Sequence, residues 1–127
     1  MAVRSLFPIL LSRDLPRLVS FYEHALHGRV DYRFGSADAD DYVSLTLGGG
    51  SLGIGRDPAV PAATAGDRVA LWFYVDDVDA AFSRWRSAGG DVVQQPGETP
   101  WGERVAQVRD PDGNLVNLGA AVSASPD

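Results

Sequence analysis

The sequence predicts an α+β fold in which two βαβββ repeats form a curved mixed sheet, a half-barrel with a cavity. Three observations carry this expectation. The chain resembles itself at an offset of 63 residues. Each copy reads as a strand, an Asp, an amphipathic helix, a Gly-marked stop and three further strands. A stretch rich in Pro, Ala and Gly, "RDPAVPAATAG", separates the copies. The resulting organisation is a single domain over 1–127, with a first module at 5–55, a linker at 56–66, a second module at 67–119 and a disordered tail at 120–127.

The repeat is clearest in "LSRDLPRLVSFYEHAL" set against "YVDDVDAAFSRWRSAG". Asp14 falls on Asp77, Leu15 on Val78, Val19 on Phe82, Tyr22 on Trp85 and Ala25 on Ala88. Asp14 and Asp77 are natural N-caps, because a carboxylate there accepts from the exposed first-turn amides and faces the positive end of the helix dipole. Pro16 sits in a first turn, where its missing N–H costs nothing. Leu15, Leu18, Val19, Tyr22 and Leu26 make one helical stripe, and Val78, Ala81, Phe82, Trp85 and Ala88 make the other. Gly28 and the Gly89–Gly90 pair are read as the helix stops. Strands are expected near 29–34, 41–47, 50–55, 91–96, 103–109 and 114–119. One face of each sheet takes its helix, and the other is left to line the cavity.

Composition narrows the function. A net charge of −6 and 17 acidic residues against 11 basic ones argue against nucleic acid or an anionic membrane as partner. The absence of cysteine excludes disulfides, thiolate metal sites and cysteine nucleophiles. "MAVRSLFPILLSRD" reads as a strand rather than a cleaved leader, and no stretch approaches the ~18 apolar residues of a membrane span, so a cytoplasmic protein is expected.

Three motifs invite chemistry and have plainer readings. His24 and His27 are spaced for a metal but lie on the outer helix with no third ligand placed nearby. Asp76, Asp77 and Asp79 read as a cap with favourable first-turn charge rather than a calcium site. "GGGSLGIG" lacks a Gly-Lys-Ser/Thr and leads into no helix, so it is a tight hairpin rather than a phosphate loop.

The segments "FPILLSRDLPRLVSFYEHAL", "VDDVDAAFSRWRSAGGDV" and "WGERVAQVRDPDGNLVNL", within the duplicated βαβββ order, resemble the vicinal oxygen chelate superfamily over about residues 6 to 119. That superfamily includes glyoxalase I, extradiol dioxygenases, fosfomycin-resistance enzymes and bleomycin-binding proteins. The resemblance implies a cavity whose divalent metal is held by first- and last-strand residues of each module. Here those positions are Phe7, Ala70, Gly53 or Ile54 by register, and Asn117. Such a set lacks the three oxygen or nitrogen donors of a catalytic site, so no metal and no other cofactor is expected.

Strand alternation, phased on those positions, turns Phe7, Ile9, Leu11, Trp72, Tyr74, Leu115 and Asn117 toward the cavity. Phe34 and Tyr42 join them, with Trp101 at the mouth and Asp38, Asp40 and Asp41 near one rim. The predicted ligand-binding set is therefore Phe7, Phe34, Tyr42, Trp72, Tyr74, Trp101 and Asn117. Asn117 is either a guest-facing amide or a structural amide bonded to neighbouring strands. Missing ligand positions, Pro8 on the first strand and "GERVAQVRDPDGN" resemble the bleomycin-resistance-like branch. That branch implies a homodimer with ligand clefts at its interface. The function expected is metal-free binding and sequestration of a planar or cationic aromatic compound, such as an antibiotic. The alternative is a metal-independent isomerase or cyclase using Tyr74, Glu103 or Asp91 as acid–base groups.

Overall fold

The protein is described from a computed structural model covering residues 2–36, 39–63 and 66–121. The first unit comprises β1 (Ile9–Ser12), α1 (Leu15–Leu26), β2 (Arg29–Gly35), β3 (Asp40–Leu47) and β4 (Gly50–Arg56). The second comprises β5 (Ala70–Tyr74), α2 (Val78–Ser87), β6 (Asp91–Glu98), β7 (Glu103–Arg109) and β8 (Leu115–Ala121). The chain divides into two compact units between Ala62 and Ala63. Each unit holds its own four-stranded mixed sheet, ordered β1-β4-β3-β2 in the first and β5-β8-β7-β6 in the second. The outer pairs β1–β4 and β5–β8 are parallel, because the helix returns the chain to the same end before the antiparallel meander begins.

The caps form as the sequence predicts. The Asp14 carboxylate accepts from the Arg17 amide at 3.2 Å, and that of Asp77 from Ala80 at 3.1 Å. The stops differ between the units. Gly89 takes the positive φ of 106° expected of a helix stop, but α1 ends on His27, at φ 59°. Gly28 does not supply the left-handed turn. It is buried where a Cβ would lie 3.2 Å from the Tyr22 carbonyl and 3.3 Å from Leu47, so close approach is what requires glycine there.

Each helix covers one sheet face. Leu15, Leu18, Val19, Phe21, Tyr22 and Ala25 of α1 are buried over Val43, Leu45, Leu52 and Ile54. Val78, Ala81, Phe82 and Trp85 of α2 are buried over Ala106, Val108, Val116 and Leu118. Leu26 and Ala88, expected in the stripes, are only half-buried, as are Leu71, Phe73 and Val75 of the fifth-strand region. Trp85 is fully buried, and its indole N–H donates to the Arg109 carbonyl at 2.8 Å.

That bond anchors α2 beside the "DPDGN" turn. Asp110 is itself buried, and its Oδ1 accepts from the amides of Asp112 and Asn114, both at 3.0 Å. The Asn114 side chain donates to both carboxylate oxygens, and Gly113 closes the turn at φ 87°. The motif is thus a side-chain-braced turn that aims β8. β8 continues through Ala121, past the expected strand end; Val122 to Asp127 of the expected tail lie outside the described residues.

Arg109 also clamps the approach to β5. Its guanidinium donates to both Asp67 oxygens at 2.7 Å and to the Gly113 carbonyl at 2.9 Å. This hydrogen bonding holds the Asp67 carboxyl below its ordinary value of 3.8.

Two outcomes follow. Trp85→Ala is expected to destabilise the fold by ~3–5 kcal/mol and Trp85→Phe by ~1–3 kcal/mol, the latter leaving the Arg109 carbonyl without its donor; urea unfolding measures both. Because the Asp67 pKa is depressed on folding, its contribution is present above the unfolded-state pKa and lost as pH falls through the folded one. Asp67→Asn is therefore expected to flatten the acid limb of the stability–pH profile, with an unchanged slope contradicting the clamp.

Candidate ligand-binding face

The face of the second sheet opposite α2 carries the richest set of side chains. Parallel pairing sets Trp72 beside Asn117 and Tyr74 beside Gly119, and antiparallel pairing carries those rows on to Gln107 and Val105. Gln94 lies opposite Gln107 on β6. Since side chains alternate along a strand, Trp72, Asn117, Gln107, Tyr74 and Val105 share this face, and Val116 and Leu118 turn to the helix.

Trp72 lies across its neighbouring strand. A Cβ on Gly119 would stand 3.0 Å from the indole, so the glycine is what admits the ring. The rings of Trp72 and Tyr74 are 5.9 Å apart, tilted by 54°. Asn117 accepts at Oδ1 from the Gln107 amide at 3.2 Å. The sequence left two readings open for this residue, and the geometry joins them: it bonds a neighbouring strand and also lines a pocket. That pocket is about 220 Å³ and is walled by Trp72, Trp101, Val105, Gln94, Gln107 and Asn117.

Trp101 reaches this face from the β6–β7 turn. The Thr99 hydroxyl accepts from the Glu103 amide and donates to the Glu103 carbonyl, both at 3.1 Å, and Gly102 turns the chain at φ 88°. The Trp101 indole then donates to Glu103 Oε1 at 2.8 Å. Hydrogen bonding to the same carboxylate, with burial and its negative charge, pushes the Tyr74 phenol above its ordinary value of 10.0.

The first unit has its own uncovered face. Ile9, Leu11, Tyr32 and Phe34 stand half-exposed or more. Phe34 pairs across strands with Tyr42, whose ring covers Gly53 and lies 6.2 Å from that of Tyr32. Of the residues predicted to bind ligand, Phe34 and Tyr42 thus share one unit, while Trp72, Tyr74, Trp101 and Asn117 share the other. Phe7 precedes β1 rather than lying in it, because Pro8 offers no N–H to extend the ladder.

Other expectations are corrected. Asp40 is ion-paired with Arg33 and Asp41 with Arg56, so neither is a free rim charge; Asp38 lies outside the described residues. Asp79 forms a bidentate pair with Arg104 at 2.8 and 2.9 Å. Asp91 borders α2 near Ser83 and Ser87, apart from the Trp72 pocket, and so is no acid–base partner there. Gln94 and Gln107 were missed because only strand register brings them to this face, and the link from Glu103 to Trp101 was missed because it depends on the conformation of the turn between them.

The family's metal positions can be tested directly. Parallel pairing sets Gly53 beside Ile9 as it sets Asn117 beside Trp72, so Gly53 is the first-unit counterpart and Ile54 turns to the core. Phe7, Ala70, Gly53 and Asn117 offer one amide oxygen, already accepting from Gln107. These residues do not fit a divalent metal. Among the described residues no three His, Asp or Glu converge as a ligand set, and no helix is long and apolar enough to cross a membrane.

Residues 6–118 match the model of the glyoxalase/bleomycin resistance protein/dioxygenase superfamily. The chain belongs to that superfamily. TioX from Micromonospora sp. ML1 is 28% identical with a TM-score of 0.76, over 94% of this chain and 99% of that one. The bleomycin resistance determinant encoded on transposon Tn5 superposes with a TM-score of 0.71 over 94% of this chain and 98% of its own, at 21% identity, which supports the shared fold. Protein CFP32 of Mycobacterium tuberculosis is 28% identical over 108 residues, 85% of this chain but 41% of the relative. The chain spans about two fifths to one half of the curated relatives it matches.

Gly119→Ala is expected to move the Trp72 ring off β8, changing near-ultraviolet circular dichroism while far-ultraviolet spectra stay as they were. An unaltered near-ultraviolet spectrum would mean that the glycine does not set the ring's position.

Proposed function

We propose that this protein binds and sequesters a planar aromatic compound without metal chemistry, in the manner of the bleomycin-resistance-like branch of its superfamily. One observation carries the reading. The pocket on the second sheet joins two tryptophan walls to three carboxamides, where the superfamily's metal positions offer no donor set. Flat indole walls favour a flat guest, and the amides of Gln94, Gln107 and Asn117 donate and accept around its edge. At about 220 Å³ the pocket is smaller than the ~300–1,000 Å³ of drug-sized sites. It therefore holds one ring system of a larger molecule, whose remainder lies outside it. Antibiotics with a planar heteroaromatic portion have this shape, and the fold shared with the Tn5 bleomycin resistance determinant supports testing them first.

The exposed apolar positions Ile9, Leu11, Tyr32 and Phe34 support a homodimer as the working form, since faces of this kind are commonly covered by a partner. A cytoplasmic location is part of this proposal.

A second reading is a metal-independent enzyme. Its support is the Tyr74–Glu103 pair, a phenol and a carboxylate that β5–β8–β7 pairing sets near each other on the second sheet.

Titration with bleomycin-type and other planar antibiotics, followed by tryptophan fluorescence, is expected to give saturable quenching. Trp72→Ala is expected to weaken binding at least about fivefold through lost ring contact. Mass spectrometry of the recovered compound separates the two readings: unaltered ligand supports sequestration, whereas a changed mass or isomer supports the enzyme. Absence of quenching across the series would contradict the antibiotic assignment.

A further inference from the structure

The polar lining of the pocket is one row of side chains running across the second sheet. Register sets Gln94 opposite Gln107, Gln107 opposite Asn117, and Asn117 beside Trp72. Unbroken pairing would not give this row. Val92 pairs with Val108, so the residue next opposite Gln107 would be Val93. A register shift between Val92 and Gln94 advances β6 by one residue and sets a carboxamide there instead. A second shift follows before Gly97. Gln94 is thus aimed by bulges on an edge strand, and all three amides line the pocket.

Two carboxamides joined by one hydrogen bond keep a defined remainder. The Gln107 amide donates to Asn117 Oδ1 at 3.2 Å. The Gln107 carbonyl oxygen is left as an acceptor, and the Asn117 NH2 is left as a donor. Exchanging oxygen and nitrogen in both amides reverses the labels and still leaves one donor beside one acceptor. Among the described residues neither side chain has a second hydrogen-bond partner. Both are half-buried, so a guest seated over them removes the remaining groups from water. A guest whose edge does not match leaves them unpaired, at a cost in affinity.

We infer that the Gln107–Asn117 pair is the specificity-determining element of this pocket, selecting a ring that carries a lactam edge. A ring lactam holds a C=O beside an N–H in the plane of the ring. Its carbonyl accepts from one amide of the pair while its N–H donates to the other. A ring nitrogen without the N–H offers only the acceptor, and an N-alkylated lactam keeps the carbonyl but loses the donor. Gln94 extends the same row by a third amide. The inference rests on the pocket being a binding site and adds the hydrogen-bonding pattern of its ligand, which flat aromatic walls alone do not select.

The test compares quinolin-2-one, its N-methyl derivative and quinoline, three flat neutral rings of similar size. Tryptophan fluorescence titration of the full chain is expected to show quinolin-2-one binding about tenfold more tightly than either of the others. Quinoline adds no bulk, so a matching loss for both analogues reports the missing hydrogen bonds rather than a clash. Asn117→Leu and Gln107→Leu each remove one half of the pair. Either variant, its fold checked by far-ultraviolet circular dichroism, is expected to bind quinoline within about threefold of the wild type and to lose the preference for the lactam. Equal or reversed affinities in the wild type would overturn the inference and leave the pocket standing as a site for flat rings of any edge. A preference that survives in both variants would overturn the role of the pair. Failure of all three probes to bind would overturn the binding-site reading together with the inference.

Discussion

A sheet has two faces, and each unit of this protein has one helix to cover them. Everything else follows from that shortfall. The helix side is closed by ordinary packing of Leu, Val, Tyr and Trp side chains, with Trp85 pinned to the Arg109 carbonyl. The opposite side is left with large apolar and aromatic residues that alternation forces outward. Apolar surface of this kind is seldom kept on a protein without use. In the second unit it is organised by polar groups into a pocket.

Two devices convert an exposed face into a site. The first is glycine opposite an aromatic. Gly119 lets Trp72 cross β8, and Gly53 does the same for Tyr42, so both units lay a ring over the last strand. The second is the anchoring of a turn residue to a strand residue. Trp101 would be a free loop side chain without Glu103, which is fixed in β7 and reaches back two positions to hold it. The amides of Gln107 and Asn117 complete the arrangement, since each partly satisfies the other while bordering the pocket. Of the positions where the superfamily resemblance implies metal ligands, Ala70 and Gly53 have no side chain able to coordinate.

Much of this was legible in the sequence, and the rest was not for definite reasons. Asp14 and Asp77 announced the helix starts because capping is local, decided within four residues. The repeat announced the topology because both copies keep the spacing from strand to cap to stripe. Helix ends were less legible: Gly28 looked like the left-handed stop, yet His27 takes that conformation and Gly28 serves a close approach to Leu47. Trp72, Tyr74 and Asn117 were placed on the open face by alternation once its phase was taken from the superfamily's metal positions. Gln94 and Gln107 were missed because their part in the site depends on register between strands distant in sequence, which no period within one strand reveals. The ion pairs of Asp40 and Asp41 were not legible because their partners Arg33 and Arg56 reach them only across paired strands.

The three tryptophans give the most direct test of the claim that the open face of the second sheet is where a ligand binds. Trp72 and Trp101 wall the pocket, while Trp85 is buried beneath the opposite face. In nitrogen-15 correlation spectra each indole N–H gives its own signal. On titration with a planar aromatic ligand, the signals of Trp72 and Trp101 are expected to shift together and saturate, with Trp85 unmoved. A ligand that binds while shifting only Trp85, or none of the three, would contradict the account.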